Sequence, residues 1–407
     1  MTISNRAKAL QREPAPTDQV YARLAAEPWS AADPNGYVNL GTAQNHLLFD
    51  LLAPRLAAAR PVTAADTEYQ LMQGMPSFRA ELARFLGRQR GVAVDPEHLV
   101  VFGGSTGALD AVAYALCDPG DGIVIPTPYY SRLDDALAGR AGAVLVPASR
   151  SAEDGFALTA EVVERAIVRA HGAGRTVRAV ALLSPDNPLG QVYDEGTLTA
   201  VAEVVRGQGL QLVVDEVYAG SVYDGGFVSA AAVADLLPGR LHLVWGFAKD
   251  FGLSGFKTGV LHSTDRRVLD VARRLAMLSP VSSDTQVLLR DLLADDELTT
   301  RLARENAHRL GDAYAATIKA LTEHGIGYIP AGAGLFVWLD LRPYLDGPTY
   351  DAELRLWQRI VDTARVHLSP GGTFHCAEPG WFRLCFAVPP DALHTGLHRL
   401  TTHLTTP

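Results

Sequence analysis

Short apolar runs alternate with longer segments of helical period through roughly the first two thirds of the chain. The runs are rich in Val and Ile and end at Gly, Pro or Asp, as buried strands commonly do. Those predicted as strands are residues 98–102, 122–126, 143–147, 177–183, 210–215 and 240–245. Helical period is clear in ALDAVAYALC, residues 108–117. The alternation predicts an α/β fold with a mostly parallel sheet and helices on both faces.

The pattern changes after about residue 290, where long charged helical segments are followed by separate apolar strands within 334–341 and 380–388. This change predicts a second, smaller domain. We expect an N-terminal arm at residues 1–45 that contributes to the small domain, a large domain at 46–285 and the small domain at 286–407.

Composition narrows the class of function. The chain has 407 residues, of which 48% are hydrophobic and 20% charged, and a formal net charge of −9. The negative charge argues against nucleic-acid binding and favours a small-molecule substrate. The three cysteines form no CxxC pair, which favours a reducing compartment. No signal-peptide pattern or bilayer-length apolar run is present, so we expect a cytoplasmic protein without membrane contact.

Polar residues follow two of the predicted strands. The run VVDEVY places Asp215, Glu216 and Tyr218 at a strand end, and SPDNPLG places Asn187 after another. Asp215 is either a cap for the next segment or a buried carboxylate that needs a cation or donors. Asn187 is either a turn residue or a donor to a ligand. Ligands of parallel sheets bind at the carboxyl ends of strands, so these residues are candidates for a binding site.

A glycine-rich turn and two lysines complete the candidate chemistry. In GGSTGALD the turn precedes a helix, whose first N–H groups form an anion site. In GFAKDFGLSGFKTG, Lys249 ends an apolar run and Lys257 follows eight residues later. Neither stretch has Rossmann or P-loop spacing. A lysine amine, a strand-end carboxylate, nearby donors and an anion site are what pyridoxal 5′-phosphate (PLP) requires. No histidine spacing indicates a metal.

Eight segments in order resemble a known family. The chain is similar to fold-type I PLP enzymes of the class I/II aminotransferase superfamily, and most similar to their 1-aminocyclopropane-1-carboxylate (ACC) synthase branch. The resemblance implies an aspartate aminotransferase-like α/β fold, with a large domain built on a mostly parallel sheet flanked by helices and a smaller α+β domain. The segments are PNGYVNLGTAQNHLLFDLL, EYQLMQGMPSFRAELARFL, GGSTGALD, IPTPYYSRLDDALAGRAGA, SPDNPLG, VVDEVY, AKDFGLSGFKTG and SPGGTFHCAEPGWFRLCFA.

The resemblance implies a role for each residue around the cofactor ring. Lys249 matches the catalytic lysine that forms the Schiff base and moves protons at Cα. Asp215 matches the carboxylate paired with the pyridinium nitrogen. Asn187 and Tyr218 match the donors to the phenolic oxygen. Tyr130 in TPYY matches the aromatic side chain that stacks on the ring, and the neighbouring Tyr129 is the alternative.

The remaining roles concern the cofactor phosphate and the substrate. The resemblance implies that Ser105, Thr106 and Gly107 cradle the phosphate. Tyr69 resembles a catalytic tyrosine that the neighbouring subunit lends to the phosphate, which implies a homodimer. Arg383 in WFRLCF matches the arginine that binds the α-carboxylate of the substrate in a bidentate fork.

The chain departs from the family pattern at the phosphate and at the substrate. Lys257 stands where the family usually has an arginine on the phosphate, and a lysine keeps the charge but loses the second hydrogen bond. Gly246 and Ala248 replace hydroxyl residues. In GTAQNHL, which faces substrate in the family, Gln44 beside Ala43 replaces a glutamate of the ACC synthase branch. A neutral amide there argues against ACC as the product.

The resemblance therefore implies an enzyme acting on S-adenosylmethionine (SAM) or another γ-substituted amino acid. A quinonoid carbanion at Cα would expel methylthioadenosine, followed by ring closure or by capture of a vinylglycine-type intermediate by a second small-molecule substrate in a biosynthetic pathway. A PLP-dependent aminotransferase of an α-amino acid needs the same residues and remains an alternative. A cofactor-binding regulator is disfavoured because residues 1–40 are too short and insufficiently basic for a helix-turn-helix module.

Overall fold

A central sheet of seven strands organises the residues for which the computed structural model describes the chain, namely 3–4, 7–8, 11, 16–58 and 63–405. Its strand order is β2-β8-β7-β6-β5-β3-β4. Only β8 runs against its neighbours, so the sheet is mostly parallel, as the sequence predicts. The strands are β2 (Leu99–Phe102), β3 (Gly122–Thr127), β4 (Val144–Ser149), β5 (Val177–Leu183), β6 (Gln211–Asp215), β7 (Leu241–Gly246) and β8 (Gly259–Ser263).

Helices cover both faces of this sheet, because β2, β3, β6 and β7 are apolar on both sides and are buried almost throughout. Separate apolar clusters fill the two faces. In the first part of the chain the helices are α1 (Pro16–Ala26), α2 (Phe49–Ala57), α3 (Pro76–Arg90), α4 (Ser105–Leu116), α5 (Ala160–Gly172), α6 (Glu195–Gly207), α7 (Phe247–Asp250), α8 (Arg266–Ala276) and α9 (Ser283–Ala294).

The C-terminal part builds a second layer around an antiparallel sheet of order β12-β13-β10-β9. Its strands are β9 (Gly327–Ile329), β10 (Phe336–Asp340), β12 (Ser369–Pro370) and β13 (Trp381–Cys385). Its helices are α10 (Asp296–Glu323), α11 (Tyr350–Arg359) and α12 (Pro390–Thr405). The N-terminal strand β1 (Val38–Asn39) pairs in parallel with β11 (Val366–His367). The chain therefore pairs with the C-terminal layer before it enters the large sheet. The predicted domain boundaries remain a prediction.

Candidate active site

The predicted site residues converge at the carboxyl ends of β2, β3, β5, β6 and β7, which all point to one edge of the sheet. Asp215 is the last residue of β6 and pairs in register with Leu183 of β5 and Val244 of β7. Lys249 lies in the short helix α7 that follows β7. The parallel register therefore brings segments that are distant in sequence to one edge, as expected for a binding site of this fold.

The Lys249 side chain is half-buried at this edge of the sheet. Its Nζ donates to the carbonyl of Ala43 at 2.6 Å, and its own carbonyl accepts from Asn45 Nδ2 at 3.2 Å. Burial lowers the pKa of Lys249 to about 8, and the positive charge of Arg383 acts in the same direction. A substantial fraction of the amine is therefore neutral near physiological pH and able to act as a nucleophile.

The Asp215 carboxyl is buried at the end of β6. Burial raises its pKa to about 7, although a hydrogen bond from Val217 N–H at 3.2 Å and the Lys249 charge both act to lower it. A carboxylate that is this poorly solvated gains most from a cationic N–H donor placed against it. Glu216, the next residue, is satisfied differently: its Oε2 accepts from Arg90 at 2.9 Å inside the core.

A hydrogen-bonded chain links three more predicted residues. Asn187 Nδ2 donates to the Tyr218 hydroxyl at 3.3 Å, and Asn187 Oδ1 accepts from Arg383 Nη1 at 3.0 Å. All three side chains are buried. The Asn187 amide thus lies between the Tyr218 hydroxyl and one edge of the Arg383 guanidinium.

Arg383 has a second polar contact and an aromatic surround. Its Nη2 donates to the Gly41 carbonyl at 2.7 Å, and the rings of Phe374 and Phe336 lie 4.7 and 5.4 Å from its Cζ. Among the described residues its buried Nε has no hydrogen-bond partner. A buried guanidinium with an unmatched donor is suited to an incoming carboxylate.

The segment 39–45 covers the lysine and the arginine with main-chain groups. Asn39 Oδ1 accepts from the N–H groups of Gly41 and Thr42, both at 3.1 Å, and this turn directs the Gly41 carbonyl toward Arg383. A Cβ on Gly41 would lie 2.4 Å from the His367 ring, so only glycine fits. Gln44 is partly buried in the same segment. Gln44 thus follows directly after Ala43, whose carbonyl accepts from Lys249.

The predicted phosphate cradle lies at the start of α4. Gly104 precedes the helix with φ of 101°, and no side chain caps the free N–H groups. Lys257 lies across from it, with Nζ 3.6 Å from the position of a Cβ on Gly104. Lys257 itself has a left-handed backbone, φ 47°. Ser105, Thr106 and Gly107 form the first turn, so the helix N-terminus and a cation face the same space.

The two adjacent tyrosines after β3 point in different directions. Tyr129 is buried, and its hydroxyl donates to Asp134 Oδ1 at 2.7 Å. Tyr130 is partly exposed, and its hydroxyl is within electrostatic reach of Arg383 and Asp215. This orientation favours Tyr130 over Tyr129 as the ring-stacking residue. Tyr69, predicted to serve the neighbouring subunit, is 96% exposed on the single chain.

Sequence reasoning missed the buried ion pair that holds two of these loops in place. Arg150 Nη1 contacts Asp186 Oδ2 at 2.5 Å, and the Tyr193 hydroxyl donates to the same oxygen at 2.7 Å. Arg150 also donates to the carbonyls of Thr127 and Pro128, at 3.0 and 2.9 Å. The pair therefore joins the loop before Tyr130 to the loop carrying Asn187. An arginine directly after an apolar strand was the available signal.

Comparison with known proteins identifies the family. The model of the family described as aminotransferase class I and II matches residues 36–400. The chain belongs to this family. Among curated members, ACC synthase 2 of Arabidopsis thaliana is 36% identical over 389 residues, covering 90% of this chain and 78% of the relative. ACC synthase of Glycine max is 36% identical over 388 residues, covering 90% and 80% respectively.

Solved structures of aspartate aminotransferases confirm the fold. A double mutant of Thermus thermophilus aspartate aminotransferase superimposes with a TM-score of 0.83 at 26% identity, covering 99% of this chain and 100% of that one. Aspartate aminotransferase of Thermotoga maritima has a TM-score of 0.80 at 21% identity, over 99% and 100% of the two chains. The predicted fold-type I, aspartate aminotransferase-like architecture is therefore correct.

The cofactor of this aminotransferase-family chain is PLP, and the described residues fit it. The nucleophilic lysine matches its aldehyde, and the buried carboxyl, which has few donors, matches its ring nitrogen. The amide–phenol pair matches its phenolic oxygen, and the uncapped helix N-terminus beside a lysine matches its phosphate. In the ranges 16–58 and 63–405, no cluster of three or more His, Cys, Asp or Glu side chains is arranged to hold a metal ion. No helix in the described residues has the length and apolar character required to cross a bilayer.

Proposed function

We propose that this ACC synthase-like enzyme acts on SAM or a similar γ-substituted α-amino acid and expels the γ-substituent, which for SAM is methylthioadenosine. The observation that carries the proposal is the 36% identity to ACC synthases over 90% of the chain. The sulfonium of SAM is a good leaving group once a negative charge forms at Cα. The substrate is therefore an amino acid whose carboxylate, amine and γ-substituent must all be accommodated.

Each residue around the cofactor ring would have a separate role. Lys249 would carry PLP and afterwards hold or move the proton at Cα, for which its lowered pKa suits it. PLP, when bound, supplies an electrophilic carbon and an electron sink. Asp215 would keep the ring nitrogen protonated, while Asn187 and Tyr218 would donate to the phenolic oxygen. Tyr130 would pack against the ring face.

Other residues would hold the two anionic groups. Arg383 would bind the substrate carboxylate through its guanidinium, whose Nε has no hydrogen-bond partner among the described residues. The N–H groups of Ser105, Thr106 and Gly107, together with Lys257, would bind the phosphate. We propose that Tyr69 of a second subunit completes the phosphate site, which makes a homodimer the active unit. Its exposure on the single chain, 96%, is consistent with that role.

Gln44 and Ala43 lie where substrate is expected. The Ala43 carbonyl accepts from Lys249, and Gln44 follows it in the chain. A neutral amide at Gln44 holds an amino-bearing group differently from the glutamate expected in the ACC synthase branch. We therefore propose a product other than ACC, formed when a second reactant captures the four-carbon intermediate.

The test is a spectrum of the purified holoenzyme between 300 and 550 nm with and without SAM, coupled to mass spectrometry of the products. We expect the cofactor band to shift and methylthioadenosine to be released, with Lys249→Ala inactive as the matched control. ACC as the sole four-carbon product of the natural chain would rule out the role given to Gln44. In that case Gln44→Glu would leave the product unchanged.

A second function is favoured by the likeness to aspartate aminotransferase, at a TM-score of 0.83 and 26% identity. An aminotransferase would release no methylthioadenosine. It would instead convert the cofactor to pyridoxamine phosphate and an amino acid to its keto acid. The same spectrum distinguishes the two, because the amine form of the cofactor absorbs at shorter wavelength than the aldehyde form.

A further inference from the structure

A polar cluster outside the cofactor cleft joins the large sheet to the C-terminal layer. Asp134 begins a short π-helical turn, Asp134–Gly139, after β3. Its Oδ1 accepts from the Tyr129 hydroxyl at 2.7 Å, and its Oδ2 lies 2.8 Å from His375 Nε2. The rings of Tyr129 and His375 stack, with centroids 4.6 Å apart and planes inclined by 25°. One carboxylate thus holds one aromatic side chain from each part of the molecule.

The same contact surface includes the main chain. Tyr129 N–H donates to the Phe374 carbonyl at 2.9 Å. Phe374 is buried, and its ring lies 4.7 Å from the Arg383 Cζ. Tyr129 therefore connects on one side to Tyr130 in the cleft and on the other to the ring that packs on the guanidinium. A displacement of His375 would therefore shift both Tyr130 and the Phe374 ring.

His375 adopts a left-handed backbone conformation, which is uncommon for residues other than glycine. Its φ is 55°, in the left-handed region that favours glycine and disfavours other residues by about 1 kcal/mol. The loop is fixed on its far side by Glu353, which accepts from Gly372 N–H at 2.8 Å and from Gly380 N–H at 2.6 Å. The left-handed backbone and the ring contacts with Tyr129 and Asp134 together fix the position of the His375 side chain.

We propose that His375 is a positioning residue for recognition of the substrate carboxylate. Through Asp134 and Tyr129 it holds Phe374 against Arg383, so that the guanidinium meets the carboxylate in one fixed orientation. The inference rests on the proposed function only in assigning Arg383 to the carboxylate. It does not depend on which group leaves from Cγ.

The test compares two probes that differ in one group. Aminooxyacetate and O-methylhydroxylamine both condense with the cofactor carbon and displace the Lys249 amine, but only aminooxyacetate carries a carboxylate. The ratio of their second-order rate constants, followed by the loss of cofactor absorbance, reports carboxylate recognition without any turnover of SAM. We expect the natural enzyme to favour aminooxyacetate strongly.

The informative variant is His375→Gly, because glycine relieves the left-handed backbone and the protein should fold normally. We expect the ratio of rate constants to fall about tenfold, as lost cation–π and hydrogen-bond positioning implies, with the O-methylhydroxylamine rate unchanged. Asp134→Ala should lower the ratio similarly, and the double variant should fall little further because both residues act through one contact. His308→Ala is the matched control, since His308 also pairs with an aspartate, Asp312 at 3.2 Å, but within α10 and away from the Tyr129–Phe374 contact.

Each other outcome has a definite meaning. An unchanged ratio in His375→Gly, or an equal loss of rate with both probes, would overturn the positioning role. A natural enzyme with no preference for aminooxyacetate would instead remove Arg383 from the carboxylate site, and the inference about His375 would fall with it. Failure of the SAM reaction alone leaves this ratio measurable, so the two proposals can fail separately.

Discussion

At the scale of single residues, burial moves the pKa values of the two central ionisable groups toward each other. The cleft lowers the pKa of Lys249 to about 8 and raises that of Asp215 to about 7. Both shifts have desolvation as their first cause, which disfavours the charged form of an acid and of a base alike. Burial therefore brings the pKa values of both groups close to neutral pH.

The lysine shift gives a testable pH dependence. Only the neutral amine attacks an aldehyde, so the rate at which the apoprotein captures free PLP should rise with pH and level off above about 8. An unperturbed lysine would continue to gain rate up to a pH of about 10.4. Stopped-flow absorbance across pH 6 to 10 measures the midpoint. A midpoint above about 10 would contradict the burial argument.

Some of these residues could be predicted from the sequence and others could not. Lys249, Asp215 and Asn187 follow strands in recognisable motifs, and the structure brings them together. Phe374 and His375 act through contacts with residues far away in the chain, and neither the apolar pattern nor a motif indicates which residue they touch. Their positions depend on tertiary packing, which a single sequence does not show.

At the scale of elements, the predicted strands of the large sheet are all present, and β8 was missed. Its sequence, GVLHS, is short and ends in polar residues, so its apolar run was too brief to recognise. Its first residue also has a packing role that no pattern shows: a Cβ on Gly259 would lie 2.2 Å from Ser105 N. Close approach at that point sets β8 beneath the start of α4 and the predicted phosphate site.

The turn at Asn39 is the element that places the covering segment 39–45. Asn39→Ala would remove the acceptor for the Gly41 and Thr42 N–H groups and release the carbonyl that contacts Arg383. The variant would also lose the bond from Asn39 Nδ2 to Thr42 Oγ1, and losing three hydrogen bonds in a partly buried turn should raise KM for the amino-acid substrate about tenfold, with a smaller change in kcat. Steady-state kinetics measures both constants.

The matched control for that variant is Asn35→Ala, because Asn35 is exposed in the preceding turn and its side chain contacts neither cation. It should leave both constants within about twofold of the natural enzyme. An unchanged KM in Asn39→Ala would mean that the segment keeps its conformation without this turn.

At the scale of the whole molecule, the stretches 69–71 and 277–278 leave large side chains exposed on the single chain, and Leu278 lines the same cavity as Thr106 and Gly107 of the predicted phosphate site. They are Tyr69 at 96%, Leu71 at 53%, Met277 at 63% and Leu278 at 68% exposure. Exposed apolar side chains of this size commonly mark an interface. The proposed homodimer would cover them and would bring Tyr69 to the site of the other subunit.

Mixing two inactive variants tests this shared site. If Tyr69 serves the neighbouring subunit, a hybrid of Lys249→Ala and Tyr69→Ala subunits contains one intact site. Random reassortment should then restore about a quarter of the natural activity, since half of the dimers are hybrids with one of two sites intact. Methylthioadenosine release measures the recovery, and sedimentation establishes the dimer. No recovery in verified hybrids would place Tyr69 and Lys249 of one chain in the same site.

The covering segment has a consequence for how this enzyme could change its substrate. Residues 41 and 43 contact Arg383 and Lys249 through carbonyl oxygens, which every amino acid supplies. Replacement of the side chains at Ala43 and Gln44 therefore leaves these two contacts in place. We therefore expect substitutions at these two positions to change substrate preference before they abolish the reaction. The same is expected of natural variants and of a laboratory library.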